Sequence, residues 1–268
     1  MAGYTIIHLS DLHIGLRQTE RTRTVKIFEK LSSAYPGVPV IITGDLTDSA
    51  TKTQFKQTRK LLEDLAKTNP VLTVPGNHDY AWKGNILRED GWENWMEYLG
   101  CPLGWGRKEV PWMGVDQEPV GIDGLGVWKH GPCVYFGIDS GDPKDKQISA
   151  RGFISKGLAD ALQRSLDKYR GRTRVALLHH HPFTEGFFTK LYGSQRLLRA
   201  LKTSCELLLF GHHHEYGIWW NKPGLRLVVS SHKSTDAVSG DCLMITIIEL
   251  ASAGTPHASF SHRLEVLQ

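Results

Sequence analysis

Short apolar runs rich in β-branched residues recur along the chain, and most are closed by Gly, Asp or His. They are Thr5–Leu9, Val38–Thr43, Val71–Val74, Arg174–Leu178 and Glu206–Phe210. Each is short and apolar at successive positions, which predicts a strand buried on both faces. Between them, helical spacing marks Thr22–Ala34, Lys52–Lys67, Lys156–Tyr169 and Gln195–Lys202. In the second of these, Phe55, Leu62, Leu65 and Ala66 share a face, and Thr51 with Gln54 has capping-box spacing at its start. Strands alternating with helices predict an α/β arrangement. Two places break the alternation. Val127–Lys129 and Val134–Ile138 join through His130-Gly131-Pro132 as a hairpin, and Leu225–Ser230 and Cys242–Leu250 have no helix between them. Two mixed sheets face to face, with helices outside, fit better than one parallel doubly wound sheet.

One stretch, at about residues 80–125, has little regular pattern and is rich in Gly, Pro and Trp (Trp82, Trp92, Trp95, Trp105, Trp112). It reads as an irregular insertion or cap within one domain spanning 1–268. Trp92, Trp95 and Leu99 lie at helical spacing, which favours packing in a core or a subunit interface. The functional alternative makes Tyr80, Trp82, Trp92 and Trp95 a stacking platform for a flat substrate group.

The strand ends carry the chemistry. The first run is followed by Asp11-Leu12-His13 and the second by Gly44-Asp45-Leu46-Thr47-Asp48. The third leads into Gly76-Asn77-His78-Asp79, the fourth into His179-His180-His181-Pro182 and the fifth into Gly211-His212-His213-His214. In open α/β sheets, ligands bind at the carboxyl ends of strands. Carboxylate, imidazole and amide groups meeting there, with no thiolate, suit manganese, iron, zinc or nickel more than a structural zinc. The seven groups Asp11, His13, Asp45, Asn77, His180, His212 and His214 are too many for one ion. Two ions about 3.5–4 Å apart, bridged by a carboxylate, would use them all, and such a pair promotes in-line displacement at phosphorus.

Composition sharpens this. The 268 residues include 13 histidines, a surplus that metal ligation explains. The 32 basic and 28 acidic residues leave a formal charge of only +4, too small to call for nucleic acid. At 40% hydrophobic residues the chain is no disordered segment. Cys101, Cys133, Cys205 and Cys242 form no C-x-x-C pair, so a disulfide framework or thiolate zinc site is not expected. No apolar window is long enough to cross a bilayer and no leader is evident, so the expected location is cytoplasmic.

The set D-x-H, G-D-x-x-D, G-N-H-D, H-H-P and G-H-x-H, in this order and each after a predicted strand, resembles the calcineurin-like metallophosphoesterases. His8-Leu9-Ser10-Asp11-Leu12-His13, Gly44-Asp45-Leu46-Thr47-Asp48-Ser49 and Gly137-Ile138-Asp139-Ser140 look most like the class III cyclic nucleotide phosphodiesterase branch. The resemblance covers roughly Tyr4 to Leu250. It implies an αββα sandwich of four layers, with a two-metal site at the strand ends. It also implies that Asp11, His13 and His214 bind one ion, that Asn77, His180 and His212 bind the other, and that Asp45 bridges them. His78 is then no ligand: with Asn77 it contacts the phosphate, and it protonates the leaving oxygen while Asp79 orients it. The two ions would supply the attacking hydroxide.

The expected activity is hydrolysis of phosphodiesters; cyclic nucleotides, glycerophosphodiesters, phosphomonoesters and nucleotide derivatives all stay open as substrates. A homodimer follows from the resemblance alone, and neither a membrane nor nucleic acid is expected as partner. Three relatives of the same fold fit less well. A repair nuclease continues well past G-H-x-H, where only a short segment follows His214 here. A lipid-precursor pyrophosphatase carries Arg where this chain has His78. A protein-binding scaffold has lost ligands, and none is lost here.

Within the motifs, His180 is taken as the ligand because it stands two before Pro182, and alternation along the strand turns its neighbours elsewhere. His179 then reads as a core residue and His213 as structural or pocket-lining. His8, in a buried strand, reads as a hydrogen-bonded core histidine, and Asp48 as a turn residue or a support for the ligands. His130, His257 and His262 read as surface, and His232 as a loop residue.

Overall fold

The computed structural model describes residues 3–15, 17–80, 90–100, 116–118, 124–141, 150–184, 186–202, 204–222, 225–240, 242–251 and 259–267. The chain begins with strand β1 (Tyr4–Leu9), helix α1 (Gln18–Ala34), β2 (Val40–Thr43), α2 (Lys52–Ala66) and β3 (Val71–Val74). A 3-10 turn over Asn77–Asp79 follows, then the short α3 (Gly91–Trp95), a π-helical turn over Met96–Gly100, and β4 (Asp116–Glu118). Next come β5 (Leu125–His130), β6 (Cys133–Ile138), β7 (Gly152–Phe153), α4 (Lys156–Lys168), β8 (Thr173–Leu177), β9 (Leu191–Tyr192) and α5 (Ser194–Leu201). The chain closes with β10 (Leu207–Phe210), β11 (Gly217–Lys222), β12 (Leu225–Ser230), β13 (Leu243–Ala251) and β14 (Ser259–Leu267).

Two mixed sheets form. The five-stranded sheet runs β14-β13-β1-β2-β3, and the seven-stranded sheet runs β11-β12-β10-β8-β6-β5-β4. β1, β2 and β3 are parallel, as are β6, β8, β10 and β12. Antiparallel neighbours flank both groups, as the hairpin and the helix-free C-terminal strands foretold.

Side-chain parity separates the layers. In the seven-stranded sheet Tyr135, Val175, Leu177, Leu207, Leu209, Leu227 and Val229 share one core with Ile6, Ile7 and Ile42 of the other sheet. Their strand neighbours Val134, Phe136, Ala176, Leu208, Phe210 and Val228 pack instead with Leu158, Leu162 and Leu166 of α4 and Leu197 and Leu201 of α5. Ile27, Phe28 and Leu31 of α1 and Phe55, Leu62 and Leu65 of α2 join the first core. The result is the expected order of helices, sheet, sheet, helices. Each fully buried aliphatic side chain contributes roughly 1.5–3 kcal/mol, so the two cores dominate stability.

Local details depart from the sequence pattern for identifiable reasons. α1 starts at Gln18, four residues before Thr22, because its first turns bury polar groups, Glu20 and Thr24. Glu20 lies 3.6 Å from the Lys233 ammonium. At α2 the Thr51 hydroxyl accepts from the Gln54 amide at 3.3 Å, but the Gln54 side chain caps Ser49 N–H instead of returning to Thr51. β11 and β14 are edge strands whose exposed face removes the apolar signal. His130, expected at the surface, is half-buried and bonds the Tyr4 hydroxyl at 2.7 Å. Trp95 and Leu99 are fully buried, Trp95 edge-on to Phe55 of α2 at 6.5 Å, and Tyr80 stacks on Trp92 at 5.3 Å. Trp82, Trp105, Trp112, Cys101 and His257 lie outside the described residues. Cys133, Cys205 and Cys242 are free thiols. Among the described residues no helix is long and apolar enough to cross a membrane.

Candidate functional site

Beyond each parallel strand the backbone turns sharply. Among the described residues, six non-glycine positions have left-handed backbone: Asp11 (φ 56°), His13 (48°), Asp45 (50°), Ala50 (51°), His212 (80°) and His214 (58°). Five of the six are residues that the sequence singled out as ligands. A left-handed L-residue costs roughly 1–2 kcal/mol, and such strain concentrates at functional sites. The loops are held in these shapes by one another. Asp11 N–H donates to Gly44 C=O at 3.1 Å and His13 N–H to Asp45 C=O at 2.9 Å. Gly44 (φ +87°) completes the turn, and a Cβ there would meet the His179 ring at 2.6 Å.

Two groups of donor atoms result. In the first, His214 Nε2 lies 3.3 Å from Asp11 Oδ1 and 3.2 Å from His13 Nε2. His13 Nε2 is 3.8 Å from Asp45 Oδ2. In the second, His179 Nε2 lies 3.2 Å from that same Asp45 Oδ2 and 3.1 Å from Asn77 Oδ1. His212 Nδ1 is 3.0 Å from Asn77 Oδ1 and 3.2 Å from His179 Nε2. Asp45 therefore stands between the groups, and its other oxygen accepts His78 N–H at 2.8 Å.

These spacings fit cations. Donors about 2.0–2.2 Å from one ion lie roughly 3.0–3.5 Å from each other. Asp11 Oδ1 is buried and receives no hydrogen bond, which an ion at the first group would explain. Two further trios come within ligating reach, Asp11 with Asp45 and His179, and His13 with Asp48 and His78.

Electrostatics divide the imidazoles: His13, His180 and His212 are lowered, whereas, against the effect of burial, the neighbouring carboxylates Asp45 and Asp11 raise His179 and His214. Burial pushes His13 down to about 4, and it drives His180 and His212 well below the usual imidazole range. Neutral imidazole is the form that binds metal. Burial would raise Asp45, but the charges of His179 and His78 outweigh it and hold the carboxyl well below its ordinary value. Burial likewise opposes ionisation of Asp11, and the neighbouring His214 and His179 overcome it. Asp45 conversely lifts His179 to about 9 against the effect of burial.

The structure departs from the sequence expectation at His180. His179, not His180, lies among Asp45, Asn77 and His212. Parity explains the difference: Val175 and Leu177 face the other sheet, Ala176 and Leu178 face α4 and α5, so His179 continues into the inter-sheet space. The Nδ1 of His179 donates to Thr43 C=O at 2.8 Å, the kind of support that orients a ligating histidine. His180 follows the other face, and its Nδ1 lies 2.9 Å from Ser140 Oγ.

Asp79 also differs from expectation. Its carboxylate accepts from Leu46 N–H (3.1 Å), Thr47 N–H (2.8 Å), Thr47 Oγ1 (2.9 Å) and Gly76 N–H (3.0 Å), and so braces two loops. Burial and Asp45 raise it to about 6, against those hydrogen bonds. The His78 ring is oriented by Asp48, whose carbonyl accepts from Nδ1 at 2.7 Å. The ring meets His13 edge-on at 4.5 Å. His8 bonds Thr43 Oγ1 at 2.9 Å as a core histidine, and His232 donates to Met244 C=O at 2.9 Å. His181 and His213 stack on each other at 4.9 Å.

Sequence reasoning assigned no role to Asp139 and Ser140, which follow β6 beside the site. Tyr80, next after the G-N-H-D motif, donates its hydroxyl to Asp139. The only signal was their position after a strand, in Gly137-Ile138-Asp139-Ser140.

An α/β sandwich with carboxylate, amide and imidazole donors gathered at its strand ends is the scaffold of a metal-dependent phosphoric ester hydrolase. The chain belongs to the calcineurin-like phosphoesterase family, whose sequence profile matches residues 4–216. It is similar to a probable glycerophosphodiester phosphodiesterase of Arcobacter nitrofigilis, 25% identical over 81% of this chain and 74% of that protein. It is also similar to a probable cyclic nucleotide phosphodiesterase of Coxiella burnetii, 33% identical over 79 residues. That match spans 28% of this chain and only 31% of the relative's length. The fold is that of a dimetal phosphatase of Danio rerio (TM-score 0.62, 10% identity, 97% of this chain and 98% of that one). It is likewise that of a purple acid phosphatase of yellow lupin (TM-score 0.58, 13% identity, 98% of this chain and 51% of that one).

Proposed function

We propose that the chain hydrolyses phosphodiesters with two divalent ions. Asp11, His13 and His214 hold the first, Asn77, His179 and His212 hold the second, and Asp45 bridges them. The observation that carries this reading is the convergence of Asp11, His13, Asp45 and His214 on one side and Asp45, Asn77, His179 and His212 on the other, with neighbouring donors 3.0–3.8 Å apart, on backbone held in the left-handed region at five of these positions. The oxygen and nitrogen donor set suits manganese, iron, zinc or nickel.

When bound, the ions draw charge from the phosphoryl oxygens and make water a nucleophile at neutral pH. The chain supplies the rest. Asp48 C=O holds the Nδ1–H of His78, which leaves the other ring nitrogen to give its proton to the departing ester oxygen. Water adds to phosphorus and gives up a proton to solvent, the phosphorus–ester bond breaks, and the ester oxygen takes the His78 proton and leaves as an alcohol. Asp79 fixes the loops that carry Asp45 and His78, and Thr43 fixes His179.

The test is hydrolysis of bis(p-nitrophenyl) phosphate by the purified protein with Mn²⁺, beside Asn77→Ala and His78→Ala. Turnover that needs Mn²⁺ and falls in both variants supports the reading. No metal-dependent turnover above the variants removes it.

A further inference from the structure

The two sheets run out on the same side of the molecule. β14 is the outer strand of the five-stranded sheet and β11 that of the seven-stranded sheet, and the rings of Trp220 and His262 meet there at 5.7 Å. The register of β13 with β14 sets His262 beside Ile248, Leu264 beside Thr246 and Val266 beside Met244. Paired positions share a face. Leu264 and Val266 therefore continue the face on which Thr246 and Ile248 are fully buried. The other sheet ends at β11 and leaves them open: Leu264 is 38% exposed, Val266 52% and Trp220 47%.

The outer edge of β14 pairs with no strand among the described residues. An open edge is a template for another strand, and chains that stay single blunt it with proline, lysine or a bulge. β14 runs Ser259–Leu267 with no proline and no lysine, and it pairs with β13 residue for residue, without a bulge. Its charges are Arg263 and Glu265, on the opposite face from Leu264. There Glu265 accepts the Tyr35 hydroxyl, and Arg263 pairs with Glu265 and lies 3.7 Å from Glu249.

These two charges select the occupant. When two identical strands pair antiparallel about a two-fold axis, opposed side chains share a face, so the axis passes through a residue. Centred on Arg263 or on Glu265, the pairing sets like charges against each other. Centred on Leu264, it sets Arg263 against the partner's Glu265 and Glu265 against the partner's Arg263. Leu264 then meets its own copy, and His262 meets the partner's Val266. Opposed Cβ atoms lie about 4.5–5.5 Å apart, close enough for opposite charges to attract and apolar groups to pack.

We propose that β14 is a dimerisation strand: two copies of the chain pair antiparallel through it about Leu264, joining their five-stranded sheets into one and covering Leu264 and Val266. The inference uses no residue of the metal site and stands apart from the proposed activity.

Sedimentation equilibrium of the full chain over a dilution series reads the dissociation constant of the dimer, and melting temperatures check that each variant folds. Wild type should be a dimer. Arg263→Glu and Glu265→Arg each turn both cross-strand pairs into like-charge pairs and should weaken the dimer roughly 10–100-fold. An equimolar mixture of the two variants should associate again, because every opposed pair then differs in sign. A dimer built elsewhere on the surface gains nothing from the mixing.

A wild type that stays monomeric overturns the proposal, whether the edge is bare or kept for another protein. So do single variants that dimerise as tightly as wild type, and a mixture no tighter than its components. Should either charge variant fail to fold, Leu264→Lys decides. That side chain is exposed in the single chain, and its ammonium would meet its own copy at the axis. A weakened dimer supports the pairing, and an undiminished one overturns it.

Discussion

Asp45 and His179 meet across the two sheets, Oδ2 to Nε2 at 3.2 Å, one carried by the loop after β2 and the other by the end of β8. The contact is possible because Gly44 has no side chain: a Cβ there would lie 2.6 Å from the His179 ring. Gly44→Ala should therefore do two things at once. Forcing an L-residue to φ +87° costs about 1–2 kcal/mol, and the ring must also move. Melting and metal analysis should show a lower midpoint together with loss of one of the two ions. A variant of wild-type stability and full metal content would contradict this account of the turn.

His78 is assigned to proton transfer and not to metal. His78→Ala should keep both ions and lose about 10²–10⁴-fold in kcat on an alkyl phosphodiester. The loss should be much smaller with p-nitrophenolate as the leaving group, which needs no proton. Equal losses on both substrates, measured by steady-state kinetics, would argue against the assignment.

At the opposite end of β8 from the site, Arg174 and Glu206 form a buried bidentate pair, with Nη2 to Oε1 at 2.7 Å and Nε to Oε2 at 3.2 Å. Glu206 also accepts Arg174 N–H at 2.7 Å. Glu206→Ala strands a buried guanidinium and should cost about 3–5 kcal/mol. Denaturant unfolding measures that cost. Metal content and activity per folded molecule should be unchanged, because the pair lies at the end of β8 away from the proposed ligands.

Burial lifts the Asp139 carboxyl to about 6, although the Tyr80 hydroxyl and Gly141 N–H act to lower it. A carboxyl raised in the fold stabilises it while protonated, and that contribution is lost as pH rises through the folded value. Wild type should thus lose stability relative to Asp139→Asn between about pH 4 and pH 7. Unfolding midpoints taken across that range test it, and a difference that does not change with pH would speak against a buried, raised Asp139.

The polar residues gathered at the strand ends were legible because each follows a short apolar run that reads as a strand, and turns there favour Gly, Asp or Asn. What escaped was which of His179, His180 and His181 turns toward Asp45 and Asn77. The residues are identical in type, and β8 is apolar on both faces, so no polar alternation marks which parity faces the other sheet. Asp79 escaped for a related reason. Its neighbour His78 is one residue away in sequence, but the 3-10 turn sends the carboxylate back to Gly76 and across to Thr47. The start of α1 was hidden because the buried side chains of its first turns, Glu20 and Thr24, are polar. The two-sheet architecture was legible from the hairpin and from the absence of a helix between β12 and β13.

Elemental analysis of Mn²⁺-loaded protein after gel filtration tests the central claim most directly. The account predicts about two ions per chain in wild type, one in His179→Ala, and further loss in Asp45→Ala, where both ions lose their shared ligand. Wild type with fewer than one ion, or His179→Ala still holding two, would contradict it.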